Sequence, residues 1–413
     1  MLETGATYYD RQEVRAPEDR EASMFHALPG LIRHGLDNAP FFAGLLAGVD
    51  PDTVASRAEL ARLPLVRKSE LVELQAGSRP FGRLNATPVP RLARIFASPG
   101  PIYDPEGART DYWRFARALY AAGFRHGDIV HNSFSYHLTP AGSMVETGAR
   151  ALGLPVVPGG TGQTELQLRA IADVRPTAYA GTPSFLLLLL EKGRELGLDT
   201  SSLKRALVSG EAFPPAARDR LAQEFGIQAF QCYATADVGL VAYETEAREG
   251  LVVDEAVIVE IVRPGTGDPL PVGEVGEVVV TVFNPDYPLV RFATGDLSAV
   301  MPGQSPCGRT NMRLKGWMGR ADQATKVRGM FVHPGQVSEV VRRHGPVGRA
   351  RLVVRQAEGQ DEMRLLCEAA DGPAGLAAEL RATVRSVTGL RAEVELVAPG
   401  TLPNDGKVID DQR

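Results

Sequence analysis

Only three cysteines, Cys232, Cys307 and Cys367, occur in 413 residues. An odd, scattered set fits neither a disulfide framework nor a cysteine metal site, and it points to a reducing cytoplasm. Cys307, in Pro306-Cys307-Gly308, has no second cysteine nearby, which argues against a zinc knuckle. Long apolar runs are also missing. The longest, Leu186 to Leu190 with its flanks, falls well short of the roughly 20 residues that cross a bilayer, so no membrane partner is expected. The start, Met1-Leu2-Glu3-Thr4-Gly5, lacks the basic and apolar regions of a secretory signal. Neither sign of charge dominates. With 45 Lys and Arg against 50 Asp and Glu, the net charge is −5, and electrostatics gives no reason to expect a nucleic acid partner. No internal repeat or low-complexity tract is present.

What the chain does have is a soluble protein's balance, 44% apolar and 23% charged residues, which is enough for a large core. It also carries 43 glycines and 30 prolines. Both exceed average usage of about 7% and 5%, and without a three-residue period they indicate many tight loops rather than collagen.

The first ~90 residues read as helical and polar, with Phe25, Leu28, Leu31 and Ile32 on one face of a helix over Met24 to Leu36. From about 90 to 240 short apolar runs alternate with helical stretches. Predicted strands are 92–96, 129–134, 154–158, 178–180, 206–209 and 228–233. Predicted helices are 110–122, 144–152, 164–174, 183–196 and 214–225. This alternation predicts a parallel sheet covered by helices. Residues 250–300 are β-rich, with 256–262 and 277–283 joined by turn chemistry at Arg263-Pro264-Gly265-Thr266-Gly267-Asp268. A small antiparallel, barrel-like part is the simplest reading. The last ~90 residues read strand, helix, strand, strand, helix, strand, a small α+β unit. The expected fold is therefore α/β, with a large N-terminal domain over 1–320 and a small C-terminal domain over 321–413.

Five short motifs stand in order. Tyr233-Ala234-Thr235-Ala236-Asp237 follows a predicted strand. Arg291-Phe292-Ala293-Thr294-Gly295-Asp296 follows the β-rich region. Gly319-Arg320-Ala321-Asp322 and Lys326-Val327-Arg328-Gly329 open the C-terminal unit, and Leu402-Pro403-Asn404-Asp405-Gly406-Lys407 nearly ends the chain. Their order and spacing resemble the adenylate-forming superfamily of acyl-CoA synthetases. Within it the sequence resembles the phenylacetate–CoA ligase family. Asn38-Ala39-Pro40-Phe41-Phe42, Ser133-Phe134-Ser135-Tyr136 and Gly159-Gly160-Thr161-Gly162-Gln163-Thr164-Glu165 match that family, and the resemblance runs from about residue 8 to the end.

The resemblance implies ATP-dependent activation of an aromatic carboxylic acid to acyl-AMP, then transfer to CoA, with Mg as a further cofactor and the acid and CoA as small-molecule partners. It is compatible with a homodimer. It implies a mobile C-terminal domain turning about the hinge residue Asp322. Asp296 would accept the ribose hydroxyls; the plain alternative is a turn aspartate capping its own backbone. Ser209, Gly210, Glu211 and Ala212 would line the adenine, although Glu211 could simply favour a helix N-terminus. Tyr233 would stack near the nucleotide, Ala234 and Thr235 would border it, and Asp237, one methylene shorter than the family's Glu, would hold Mg²⁺. Arg320 would contact ribose or phosphate. Lys407 would bridge carboxylate and α-phosphate as charge builds, the catalytic role; outside this context a lysine there is solvated surface. Lys326, Val327, Arg328 and Gly329 would line the pantetheine tunnel. Phe134, Tyr136 and His137 would form the acyl pocket, where aromatics on a strand are otherwise ordinary core.

One segment departs from the family. Its Ser/Thr/Gly-rich phosphate loop, ending Gly-Lys-Pro, is replaced here by Ala97-Ser98-Pro99-Gly100-Pro101-Ile102-Tyr103-Asp104-Pro105-Glu106-Gly107. Three prolines remove N–H donors, the lysine is gone, and Asp104 and Glu106 are expected to repel phosphate. Two alternatives therefore stay open: an AMP-linked acyl transferase with a degenerate phosphate loop, and a non-catalytic sensor of an aryl acid, AMP or acyl-CoA. His131 and His137 lack the Ser and Asp context of a nucleophilic triad. No GxGxxG follows a strand, so a dinucleotide oxidoreductase has little support.

Overall fold

A computed structural model describes residues 7–321, 325–328, 330–357, 360–369 and 375–413. The alternation read from 90 to 240 becomes the parallel half of a nine-stranded sheet. Its order runs Val156–Pro158, Val130–Asn132, Ala178–Gly181, Arg205–Val208 and Gln228–Thr235, all parallel, then Gly239–Tyr243, Leu251–Val253, Arg313–Leu314 and Val300–Met301, all antiparallel. Helices Ala141–Ala151, Thr164–Val174, Pro183–Leu196 and Pro215–Phe225 supply the crossovers. The two helices at 164–174 and 183–196 have the bounds the sequence predicts. Thr182 caps the second of them, its side chain accepting from the Phe185 N–H, with Pro183 at the first position where no N–H is needed.

The β-rich region is a four-stranded sheet in which Val257–Val262, Gly276–Val282 and Phe292–Ser298 run antiparallel. A short strand from the helical N-terminal segment, Val66–Arg67, joins its edge in parallel, pairing Val66 with Phe292. All three long strands are buried throughout; the first two are mostly apolar, while Phe292–Ser298 carries Thr294, Asp296 and Ser298 into the interior.

The N-terminal segment is tied down by buried ion pairs. Glu13, 1% exposed, accepts from Arg117, Arg309 and Tyr243, while Arg20 reaches Glu255 at 2.8 Å. Breaking one member of such a set would strand a buried charge.

The C-terminal unit has a core of its own, centred on Val332, Val354, Leu365, Leu380 and Val384. Its sheet runs Glu393–Val397, Gln360–Ala369, Val347–Ala357 and Ile409–Asp411, with helices Pro334–Arg342 and Leu376–Thr388 packed on it. The edge strand Ile409–Asp411 is not among the sequence-predicted elements. The first strand of this unit reads from the sequence as one stretch over 324–332, whereas Thr325–Val327 and Met330–Val332 pair as a hairpin. Among the described residues, no helix is long and apolar enough to cross a membrane, and Cys232, Cys307 and Cys367 are free thiols.

Candidate active site

The parallel strands end at the crevice where an open α/β sheet places ligands. Ser209 follows the strand Arg205–Val208, and its Oγ donates to the Cys232 carbonyl at 2.9 Å. Gly210 turns the chain with φ +85°, a left-handed conformation that favours glycine. Glu211 and Ala212 are exposed beyond it. Glu211 also does what its simpler reading suggests, accepting from the Ser184 N–H at 2.7 Å in the first turn of the helix Pro183–Leu196.

Asp296 lies opposite, on the strand Phe292–Ser298, 8% exposed. Tyr233 Oη donates to its Oδ2 at 2.9 Å; Arg320 Nη1 and Trp317 Nε1 donate to its Oδ1 at 3.0 and 3.1 Å. It is thus no turn aspartate bonded to its own backbone. The preceding Gly295, φ +76°, has Arg320 where a Cβ would stand, so a side chain there would collide with the guanidinium. Burial, reinforced by the Asp296 charge, pushes the Tyr233 hydroxyl well above its usual pKa, which keeps it a donor. Ala234 and Thr235 continue the strand next to Tyr233, pairing with Leu240 and Gly239, with a register shift between Tyr233 and Ala234.

Asp237 is 3% exposed and its Oδ2 accepts from Lys68 Nζ at 2.6 Å. Lys68 follows the strand Val66–Arg67. Burial works against its charge, yet Asp237, then Asp104 and Asp296, hold its pKa above the usual lysine value. Asp237 Oδ1 has no hydrogen-bond partner among the described residues. No group of three or more His, Cys, Asp or Glu able to hold a metal occurs among them either. One free carboxylate oxygen suits Mg²⁺, which keeps several waters and substrate oxygens and takes few protein ligands.

The segment replacing the phosphate loop is a β-hairpin, Arg94–Ser98 with Ile102–Glu106, its exposed tip at Pro99-Gly100-Pro101. The expectation that Asp104 and Glu106 face a phosphate needs correction, because both point into the protein. Glu106, 1% exposed, pairs with Arg94 and accepts from Trp113 Nε1 and Ser143 Oγ, each at 2.6 Å. Asp104, 0% exposed, accepts from Ser98 Oγ at 2.9 Å, so Ser98 is turned inward too. Burial, then the Asp237 charge, raises Asp104 well above the carboxylate range, with Lys68 and Ser98 opposing.

Phe134 is buried and lies 3.9 Å from where a Gly210 Cβ would be. Tyr136 is half-buried, its hydroxyl held by Asn132 Nδ2 at 2.8 Å. His137 is exposed in the following turn, beside the exposed Leu138. In the C-terminal unit the Val327 side chain is buried in the core, leaving only its backbone to face a ligand. Arg328 is exposed. The Lys326 side chain, Gly329 and the hinge Asp322 lie outside the described residues. Lys407 is half-exposed and its Nζ pairs with Asp410 at 3.3 Å. It has no hydrogen bond or ion pair to Asp296, Tyr233 or Asp237 among the described residues. Its neighbour Gly406 packs on Val275 and Leu297, and Asn404 Oδ1 accepts from the Val275 N–H at 3.2 Å.

A family model described as AMP-binding enzyme matches residues 136–282. A curated phenylacetate–CoA ligase of Thermus thermophilus is 31% identical over 96% of each chain. The chain belongs to the phenylacetate–CoA ligase family. The phenylacetate–CoA ligase of Escherichia coli is 29% identical, over 97% of this chain and 96% of the relative. Among solved structures, an open conformation of 2-hydroxyisobutyryl-CoA ligase in complex with 2-HIB-AMP and CoA aligns with TM-score 0.75 and 26% identity, covering 98% of this chain and 93% of that one. The same enzyme in its thioesterification state aligns at 0.72. As a member of the phenylacetate–CoA ligase family, the protein is an AMP-forming acid–CoA ligase. Sequence reasoning missed Lys68 and Trp317. Lys68 sits in a segment read only as helical and polar, and the one signal for Trp317 was its rarity, one of two tryptophans.

Proposed function

We propose that the protein activates an aromatic acid of the phenylacetate type in two half-reactions, carboxylate plus ATP to acyl-AMP and pyrophosphate, then acyl-AMP plus CoA to acyl-CoA and AMP. The observation that carries this reading is Asp296, a buried carboxylate steered by Tyr233, Arg320 and Trp317 at the mouth of the sheet. A carboxylate so placed can exchange the Arg320 and Trp317 bonds for ribose hydroxyls while Tyr233 keeps it oriented. Ser209 to Ala212 and Tyr233 to Thr235 border the adenine side, and Phe134 and Tyr136 wall the acyl group. His137, exposed, stands at the rim of that pocket.

Mg²⁺, when bound at Asp237 Oδ1, supplies positive charge for the phosphates. Lys68 adds a second cation beside it. Lys407 brings an ammonium to the carboxylate and α-phosphate in the adenylation pose, which requires the 321–413 domain to turn from the pose described here about Asp322. The opposite pose brings Lys326 to Gly329 to the thiol arm. The cysteine pattern supports a cytoplasmic enzyme.

The hairpin 94–106 favours one second reading, in which acyl transfer from a supplied acyl-AMP outpaces ATP cleavage. A panel of aromatic and aliphatic acids, read by pyrophosphate and AMP release, tests both. Pyrophosphate release with an aryl acid, falling about 100- to 1,000-fold in Lys407→Ala, is the expected result. Thioester formed only from supplied acyl-AMP would establish the second reading, and turnover of none would sink both.

A further inference from the structure

Gln167, on the helix Thr164–Val174, is 3% exposed, and the proposed reaction makes no direct use of it. Its amide is nonetheless fully engaged. Nε2 donates to the carbonyls of Gly160 and Gly162 at 2.9 and 2.6 Å. Two carbonyls can only accept, which fixes the amide's orientation and turns Oε1 the other way. Oε1 accepts from Ser133 Oγ at 2.9 Å and from His131 Nε2 at 2.8 Å. His131 therefore carries its proton on Nε2. Burial lowers its pKa, which keeps the ring neutral, and Nδ1 has no hydrogen-bond partner among the described residues. The chain passes close against this pair: a Cβ on Gly159 would stand 2.6 Å from Gln167 Oε1 and 2.9 Å from His131 Nε2.

One buried side chain thus ties two segments together. Ser133 follows the strand Val130–Asn132, and the loop 159–163 follows Val156–Pro158, its neighbour in the sheet. Val130–Asn132 lies between Val156–Pro158 and Ala178–Gly181, so the connections after Val130–Asn132 and after Ala178–Gly181 run to opposite sides. That is the topological switch point, where sheets of this kind take ligands. The loop stands beside it. Gly160 N–H donates to the Asn132 carbonyl at 3.0 Å, and Asn132 Nδ2 holds the Tyr136 hydroxyl. A Cβ on Gly160 would lie 4.0 Å from the Tyr136 ring. Thr161, Gly162 and Gln163 are exposed. A surface loop keeps one position only where buried contacts hold it.

We propose that Gln167 is a positioning residue that sets the size of the acid accepted, by holding the loop 159–163 against Tyr136 as a wall of the acyl pocket. The proposal rests on the reading of Phe134 and Tyr136 as that pocket. Without the amide, the loop and the Tyr136 ring beside it can give way, and bulkier acids enter. The residues assigned to adenosine lie on other strands and keep their contacts.

Calorimetric binding of phenylacetate and 2-naphthylacetate to the full chain tests it without turnover. An acid that binds but releases no pyrophosphate with ATP would sink the ligase reading and leave the acid selectivity measurable. The parent is expected to prefer phenylacetate, the smaller acid, by about tenfold. Gln167→Met keeps the length and loses every hydrogen bond. Gln167→Glu keeps an acceptor toward Ser133 and His131, but an ionised carboxylate presents no donor to Gly160 and Gly162. Both should cut the preference to about twofold, with AMP affinity unchanged. In turnover, KM for the acid should move while KM for ATP stays. Selectivity retained in Gln167→Glu overturns the assignment, because the loop contact would then not decide it. An equal loss of AMP affinity overturns it too, as the mark of a general fold defect, and so does a parent that binds neither acid. If melting temperatures show both variants unfolded, the parent alone decides. Saturating phenylacetate should slow amide exchange at 159–163 about threefold or more, and unaltered exchange overturns the assignment.

Discussion

Asp296 and Asp104 are both aspartates buried on β-strands, both close enough to Lys68 to raise its pKa, and the fold treats them in opposite ways. Asp296 receives three side-chain donors, two of them on one oxygen and from side chains at least 44% exposed. Asp104 receives one, from Ser98, and its other oxygen has no hydrogen-bond partner among the described residues. Donors that solvent-facing side chains can withdraw make a carboxylate available to a ligand. A carboxylate with one donor and no solvent is pushed toward its neutral form. The difference teaches that the side proposed for the nucleotide presents an acceptor whose donors can leave, while the hairpin in the phosphate-loop position closes its carboxylates into the core.

The largest effect should come from the charged side. Asp296→Ala should lower kcat/KM for ATP about a thousandfold, since two charge-assisted hydrogen bonds to ribose are worth ~4 kcal/mol together. Asp104→Asn should change the same quantity less than about threefold. Equal losses from the two would break the comparison.

Next is the lysine between them. Lys68→Met leaves Asp237 buried without its cation and should cost about 3 kcal/mol in denaturant unfolding. Adding Asp104→Asn should recover part of this, because one of the carboxylates facing the gap is then neutral. An additive double variant would show that the two aspartates do not share Lys68.

A smaller effect concerns pH. Asp104 is raised in the folded state, so between the ordinary carboxylate range and its folded value the native protein keeps a proton that the unfolded chain releases. Its contribution is present at acid pH and is lost as pH rises through that window. Asp104→Asn escapes the loss, so its melting temperature should overtake the parent's by about 2 °C at pH 8, with the gap closing toward pH 5. A gap that widens toward acid pH would reverse the assignment.

The smallest is Trp317→Phe, which removes a donor that the ribose hydroxyls would displace and should change AMP affinity by less than about threefold. The other tryptophan, Trp113, is 2% exposed, so AMP-dependent fluorescence should vanish in this variant. A signal that survives would place Trp317 outside the nucleotide site.

Much of the fold was legible because periodicity is local. The helices 164–174 and 183–196 and the parallel strands between 130 and 235 follow from apolar spacing and caps that neighbours in sequence supply. The edge strand Ile409–Asp411 was not legible, since three residues carry no period and pair only because Val347–Ala357 offers a free edge. Asp296 was legible as part of a recognisable motif, although the structure sets it within a strand rather than a turn. Its partner Trp317 was not, because a bond spanning 21 residues depends on how Gly316 to Gly319 lie along the strand.

Order of motifs, alternation of helix and strand, and the loss of a glycine-rich phosphate loop were all decided in the primary structure, through side-chain period and backbone freedom. The direction each charge faces was decided in three dimensions. Glu106 became neutralised core only when Arg94, Trp113 and Ser143 met it. Asp237 acquired Lys68 from 169 residues away, and Lys407 pairs with Asp410 in the pose described. Desolvation and pairing set the energy of a buried charge, and both depend on neighbours that only the folded chain brings together.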